Sequence, residues 1–69
     1  MKEVRIDTDY IKLDQFLKLT NIAQTGGHAK FLILDGLVKV NDKICLKRGK
    51  KLRKGDIIEI GQEGQYVIK

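Results

Sequence analysis

The sequence is poor in the residues that enzymes and metal sites depend on. Its 69 residues contain one cysteine, one histidine and no serine. Cys45 alone cannot form an intramolecular disulfide or a cysteine-rich zinc site, which fits a reducing compartment, and we expect it to lie in a strand as a small apolar residue. His28 has no serine to activate and no cluster of metal ligands around it. The sequence therefore predicts neither an enzyme nor a cofactor or metal site.

The sequence also lacks proline and long apolar runs. No run approaches the roughly 18 residues that suggest a membrane span, and no apolar region follows the basic residue at the start. A composition of 42% hydrophobic and 33% charged residues is typical of an ordinary soluble domain. A chain of this length buries only about 60% of its unfolded surface. We expect one cytoplasmic domain over residues 1–69, with a thin core and no enclosed cavity for a small-molecule substrate.

Positive charge is concentrated in one stretch, residues 47–54, which we call the basic segment. It holds six basic residues in eight and no acidic one, whereas the other 61 residues carry a net charge of −1. Such a concentration attracts a polyanion and predicts nucleic-acid binding over a merely solvated loop. A membrane surface is a weaker alternative, because Leu52 is the only apolar anchor in the segment.

Periodicity predicts a strand, two helices and then further strands. Val4 and Ile6 alternate in a strand over residues 2–7, and Asp9 can cap a helix over residues 10–19 with one apolar stripe. Thr25 is a good N-cap for a second helix over residues 26–35, with Gly36 just past its end. Apolar residues on most sides of this second helix predict that it is sandwiched between other elements, with Phe31 in the core.

After Gly36 the period changes to that of extended chain. Strands are expected over residues 37–40 and 43–46 around an Asn41-Asp42 turn, and over residues 57–60 and 65–68. A turn at residues 54–56 precedes the third of these strands. The order of elements predicts an α+β fold in which a helix pair packs on a small, mostly antiparallel sheet.

The stretch AQTGGHAK, residues 23–30, joins two glycines, a histidine and a lysine at the start of the second helix. It lacks the spacing and the Gly-Lys-Ser/Thr of a nucleotide phosphate loop. The unblocked amides of Gly26 and Gly27 at a helix amino terminus favour an anion site, to which His28 and Lys30 could add donors. The alternative is that the glycines allow a neighbouring helix to cross closely.

Several short motifs together resemble the S4 RNA-binding domain, named after the fourth protein of the small ribosomal subunit. They are Leu13-Asp14-Gln15-Phe16-Leu17, Thr25, Ala29-Lys30, Ile33, Gly36, Val38-Lys39-Val40-Asn41 and Gly55-Asp56-Ile57-Ile58. The match runs from about Lys12 to Ile60, and the Thr-Gly-Gly-His-Ala-Lys variant is similar to the free-standing YaaA/YbcJ-type proteins. Lys12 and Gly26 stand where the family usually has arginine, and Asp42 stands where it has glycine. The resemblance implies a two-helix RNA-binding motif of the alpha-L type and structured, often ribosomal, RNA as ligand.

The predicted function is RNA binding without catalysis, by a protein expected to be a monomer associated with the ribosome. Backbone and shape contacts should dominate, because few aromatic rings are left for stacking once Phe16 and Phe31 are placed in the core. The predicted RNA-binding residues are Lys12, Gln15, Thr25, Gly26, Gly27, His28, Lys30, Lys39, Asn41, Lys47, Arg48, Lys50, Lys51, Arg53 and Lys54.

Two alternatives stay open from the residues alone. The basic segment could dock on the acidic surface of a partner protein, as in an adaptor. It could also bind duplex DNA, although neither helix is expected to present an exposed polar recognition face.

Overall fold

A computed structural model describes all residues from 1 to 69, in seven strands and two helices. The strands are β1 (Lys2–Val4), β2 (Ile11–Lys12), β3 (Val38–Val40), β4 (Lys43–Ile44), β5 (Lys51–Leu52), β6 (Ile57–Ile60) and β7 (Gln65–Ile68). The helices are α1 (Leu13–Leu19) and α2 (Gly26–Leu34). Neither helix is long and apolar enough to cross a membrane. The predicted α+β class is confirmed.

Five strands form the main sheet in the order β1-β7-β6-β3-β4, and only the β1–β7 pair is parallel. The register of β3 on β6 sets Val38 opposite Ile60 and Val40 opposite Ile58. These four side chains are buried, while Lys39 and Glu59 between them are not. Because side chains alternate along a strand, one face of the sheet packs on the helices and the other faces solvent.

The core consists of 13 buried residues, all of them hydrophobic. Helix α1 contributes Leu13, Phe16 and Leu17, which are spaced as one helical stripe. The Phe16 ring meets the Tyr66 ring of β7 edge to face, with centroids 5.7 Å apart, a favourable arrangement for aromatic pairs. These contacts fix α1 on the sheet.

The prediction that the first helix spans residues 10–19 with Asp9 as its cap is wrong at the amino-terminal end. Helix α1 begins at Leu13, its N-cap position is Lys12, and no side chain caps it. The reason is tertiary: Ile11 and Lys12 pair with the distant strand β5 in a separate two-stranded sheet. A ladder with another part of the chain leaves no local signal in the sequence.

The prediction for the second helix is confirmed at the two helix ends, but the prediction that other elements enclose the helix is wrong. Thr25 caps α2 by accepting a hydrogen bond from the His28 backbone N–H at 3.0 Å, and Gly36 has a φ of 78°, the left-handed conformation expected after a helix. However, Phe31 is 61% exposed, so its predicted place in the core is wrong. Helix α2 packs against α1, and only Ala29 and Ile33 of α2 are buried, so the helix is covered on one side rather than sandwiched.

Asn41 joins the β3–β4 turn to the turn before β6. Its backbone has a φ of 51°, its side-chain NH2 donates to Asp56 Oδ1 at 3.1 Å, and its side-chain oxygen accepts from the Ile57 N–H at 3.0 Å. Asparagine tolerates the left-handed conformation better than most residues. Asn41 thus stabilises the hairpin end of the sheet.

Replacing Asn41 with alanine is expected to lower the free energy of unfolding by about 1–2 kcal/mol, through the two exposed hydrogen bonds and the backbone strain. Urea unfolding measures this value. Asn21→Ala is the matched control, because Asn21 also has a positive φ, of 63°, but its side chain has no hydrogen-bond partner. Equal losses in the two variants would contradict a stabilising role for the Asn41 amide.

Candidate nucleic-acid interface

The basic segment is tied to the start of α1 by a short antiparallel ladder. In this ladder Ile11 lies opposite Leu52, and Lys12 lies opposite Lys51. Leu52 is fully buried and Ile11 is half-buried, whereas both lysines are exposed. The alternation of a strand therefore anchors the segment by Leu52 and presents Lys12 and Lys51 side by side to solvent.

Backbone carbonyls of the same segment accept the first hydrogen bonds of α1. The Leu13 N–H donates to the Lys50 carbonyl at 2.8 Å, and the Asp14 N–H donates to the Arg48 carbonyl at 3.1 Å. These N–H groups at a helix start have no partner within the helix. The segment takes the place of a side-chain cap, which fixes the backbone of Arg48 and Lys50 beside Lys12.

Tyr10 belongs to this cluster and was missed by the sequence prediction. The Lys51 Nζ lies 4.8 Å from the centroid of the Tyr10 ring, and the Arg53 Cζ lies 5.7 Å from it. A cation near an aromatic face is attracted by the electrons of the ring. Tyr10 can therefore orient both cations without neutralising them. In an extended chain Tyr10 and Lys12 lie on the same face, with Ile11 between them on the other. The sequence could have indicated this only if these residues had been predicted as a strand rather than as the start of a helix.

No acidic side chain neutralises the basic segment. The molecule contains two ion pairs, Lys39 with Glu59 and Lys69 with Glu3, each with a nitrogen–oxygen distance of 3.9 Å. Neither pair includes a residue of the segment. Like charges directly across a ladder repel each other, so the Lys12–Lys51 pair gains from an external anion.

The amino terminus of α2 forms a second group of predicted residues. Gly26 and Gly27 have backbone N–H groups without a hydrogen-bond partner. The His28 Nδ1 accepts a long hydrogen bond, of 3.5 Å, from the Gln24 N–H, so this ring folds back over the helix start. Lys30 is exposed and forms no ion pair.

Close packing does not explain the two glycines. A Cβ added to Gly26 would meet no atom within 4 Å, and one added to Gly27 would meet only the Thr25 hydroxyl oxygen, at 3.9 Å. Neither residue has a positive φ. The alternative that a neighbouring helix crosses here is therefore wrong, because both positions have room for a side chain.

The predicted residues do not all share one face. Gln15 and Lys12 line a shallow depression with Tyr10, next to the ladder. Lys47 and Lys50 line an open groove of about 690 Å³ that reaches Asn41 at the hairpin. Lys39 lies on the sheet face turned away from the helices, where it pairs with Glu59. Arg48 and Lys54 are exposed at the two turns that flank β5.

Cys45 lies just after β4 rather than within a strand. It is half-buried, and its thiol donates a weak hydrogen bond to the Lys47 carbonyl at 3.6 Å. This contact joins the hairpin to the start of the basic segment.

Comparison with known proteins adds to this geometry. A model of the S4 domain family matches residues 4–69. The chain is also 43% identical over 65 residues to the probable ribosome maturation protein RlbA of Bacillus subtilis (strain 168). That alignment covers 94% of this chain and 92% of the relative.

Proposed function

The chain belongs to the S4 domain family, and on that premise we propose that it is a non-catalytic RNA-binding protein. Its proposed ligand is structured RNA, with ribosomal RNA as the target and ribosome assembly or translation as the process served. We propose that residues 1–69 act as one unit, as a monomer in the cytoplasm. The observation that carries the proposal is the exposed Lys12–Lys51 pair, which has no acidic partner.

The ladder and the two turns beside it suit contacts to an RNA backbone. Lys12, Arg48, Lys50, Lys51 and Arg53 come from two chain segments that backbone hydrogen bonds hold together. Paired RNA is recognised mainly through its shape, phosphates and 2′-hydroxyls, because its major groove is too narrow for side chains. Cations on two segments held together in this way can contact such a backbone without reading its sequence.

The start of α2 is proposed as a second phosphate contact. The S4 domain family commonly has arginine where Gly26 stands. This chain instead has two adjacent backbone amides without a hydrogen-bond partner at that point. Amides at a helix amino terminus, together with the helix dipole, favour an anion. We propose that they replace the missing arginine, with Lys30 as a nearby donor.

Replacing both glycines, Gly26→Ala and Gly27→Ala, is expected to change stability and binding in opposite directions. Alanine restricts the unfolded chain and fits without a clash, so each change should add about 0.4–1 kcal/mol to the free energy of unfolding. The added methyl groups lie beside the free amides, and RNA affinity should fall several-fold. Urea unfolding and filter binding to ribosomal RNA measure the two effects. Unchanged affinity in a more stable variant would remove the phosphate contact from the proposal.

The salt dependence of binding tests the proposed function as a whole. With about four phosphates neutralised, the logarithm of the affinity for ribosomal RNA should fall against the logarithm of the salt concentration with a slope of about −3 to −4. An excess of polyglutamate should not displace the RNA. A slope near zero would contradict a phosphate-based interface, and efficient displacement by polyglutamate would point to an acidic protein partner.

A further inference from the structure

Helix α2 exposes an aromatic and an aliphatic side chain on the side that no other element covers. Phe31 is 61% exposed and Leu34 is 58% exposed. Together with Gly27, Lys30 and Asp35 they line one groove of about 290 Å³. Counted from Gly27, the other four positions follow at offsets of three, four, seven and eight residues, so all five lie along one side of the helix over about 12 Å.

Phe31 has the freest ring in the molecule. The Phe16 and Tyr66 rings pack on each other in the core, and the Tyr10 ring is engaged by Lys51 and Arg53. No other aromatic ring packs on Phe31, and no cation lies over the face of its ring. Exposed aromatic rings are the usual platforms on which proteins stack unpaired bases.

The groove carries a positive charge near one end and a negative charge at the other. Lys30 precedes Phe31 and Asp35 follows Leu34, and neither charged side chain forms an ion pair or a hydrogen bond. The groove therefore offers a cation for a phosphate, an apolar floor for a base, and a carboxylate for a hydrogen-bond donor on the edge of that base.

We propose that this groove binds one unpaired RNA base stacked on Phe31, and that guanine is preferred. The inference rests on the proposed function of RNA binding and names the element of the RNA that α2 recognises. Guanine has adjacent N1–H and N2–H donors on its pairing edge, which a carboxylate such as that of Asp35 can accept together. The pairing edges of adenine, cytosine and uracil do not present N–H donors on two neighbouring nitrogen atoms, so a carboxylate cannot accept two hydrogen bonds there in the same way. The RNA class is therefore structured RNA with a bulged or looped-out guanine.

A second copy of the chain fits the groove less well than a base does. Stable interfaces bury about 800 Å² per partner, and two exposed apolar side chains supply only a small part of that area. The groove volume is close to the lower end of the range for small-ligand sites, about 300 Å³, which suits a single base.

Selection from a pool of RNA hairpins tests the inference. The pool carries a randomised bulge in a constant stem, and the bound fraction is sequenced for the wild-type protein and for Phe31→Ala, Phe31→Tyr and Asp35→Asn. Leu19→Ala is the matched control, since Leu19 is 56% exposed on α1, outside the groove. Thermal unfolding verifies that each variant is folded.

The wild-type protein should enrich hairpins with an unpaired guanine by about tenfold or more over those with no bulge, as expected for one stacked base. Phe31→Ala should lose this enrichment while it still binds the stem, Phe31→Tyr and Leu19→Ala should keep it, and Asp35→Asn should keep stacking but lose the preference for guanine. Equal enrichment by wild type and Phe31→Ala would overturn the inference, as would a dimer in sedimentation that Phe31→Ala dissociates. Failure of the wild-type protein to bind any hairpin would instead count against RNA binding itself.

Discussion

Reversing the charges of Lys50 and Lys51 together, as Lys50→Glu and Lys51→Glu, is expected to lower the affinity for ribosomal RNA by about a hundredfold near physiological salt. Each lysine supplies one phosphate contact in the proposed interface, and a lost contact of about 1.4 kcal/mol corresponds to a factor of ten. The magnitude of the salt slope should fall by about two, one for each contact. Filter binding over a range of salt concentrations gives both values.

The matched control reverses two exposed lysines outside the interface, Lys2→Glu and Lys18→Glu. This variant has the same net charge as the first, so it separates a local contact from a general electrostatic effect. We expect its affinity to change by less than about threefold, because neither lysine is among the proposed phosphate contacts and exposed charges are partly screened by salt. Equal losses in the two variants would mean that the basic segment is not the RNA contact.

Leu52→Ala is expected to give the largest loss of stability, about 2–5 kcal/mol. Leu52 is fully buried and is the residue through which β5 enters the core, so truncation removes apolar contacts and leaves a cavity. For a chain of this length the whole free energy of unfolding is only about 3–10 kcal/mol. The variant should therefore unfold at a much lower urea concentration, or be partly unfolded without urea.

Leu46→Ala serves as the comparison for Leu52→Ala, because Leu46 lies shortly before the segment and is 54% exposed. Its expected loss is below about 1 kcal/mol, as is usual for surface positions. The two variants are compared by urea unfolding followed by circular dichroism. A similar small loss in both would contradict the anchoring of the basic segment through Leu52.

Local sequence signals predicted much of the fold. Alternating apolar residues predicted β3, β6 and β7, and the structure places Val38, Ile58 and Tyr66 of these strands in the core. Thr25 and Gly36 predicted the two ends of α2, because capping and left-handed conformations depend on single residue types. The two-helix, mostly antiparallel architecture is confirmed.

The errors concern features that depend on contacts far along the chain. The β2–β5 ladder is two residues long, so neither strand has a period to detect, and Asp9 was the better local signal for a helix start. In α2 apolar residues occur on most sides of the helix. The hydrophobic pattern therefore does not distinguish Ile33, which is buried, from Phe31, which is exposed. The Tyr10 cluster was missed for the same reason, since it depends on the ladder that brings Lys51 and Arg53 near.

The predicted RNA contacts remain predictions at the level of single residues. The structure holds Lys12, Arg48, Lys50, Lys51 and Arg53 in one neighbourhood, which supports a shared role. The Lys39 side chain lies on the far side of the sheet, so a contact there would need RNA on the opposite face. The proposed interface is accordingly centred on the ladder and on the start of α2.

Crosslinking in cells, followed by sequencing of the recovered RNA, tests the central proposal most directly. The intact protein is compared with the folded Lys50→Glu, Lys51→Glu variant, with the Lys2→Glu, Lys18→Glu control and with an untagged strain. Discrete sites in ribosomal RNA that disappear only in the first variant are the expected result. No enrichment of RNA over the untagged strain would contradict RNA binding and leave an acidic protein partner as the ligand to seek.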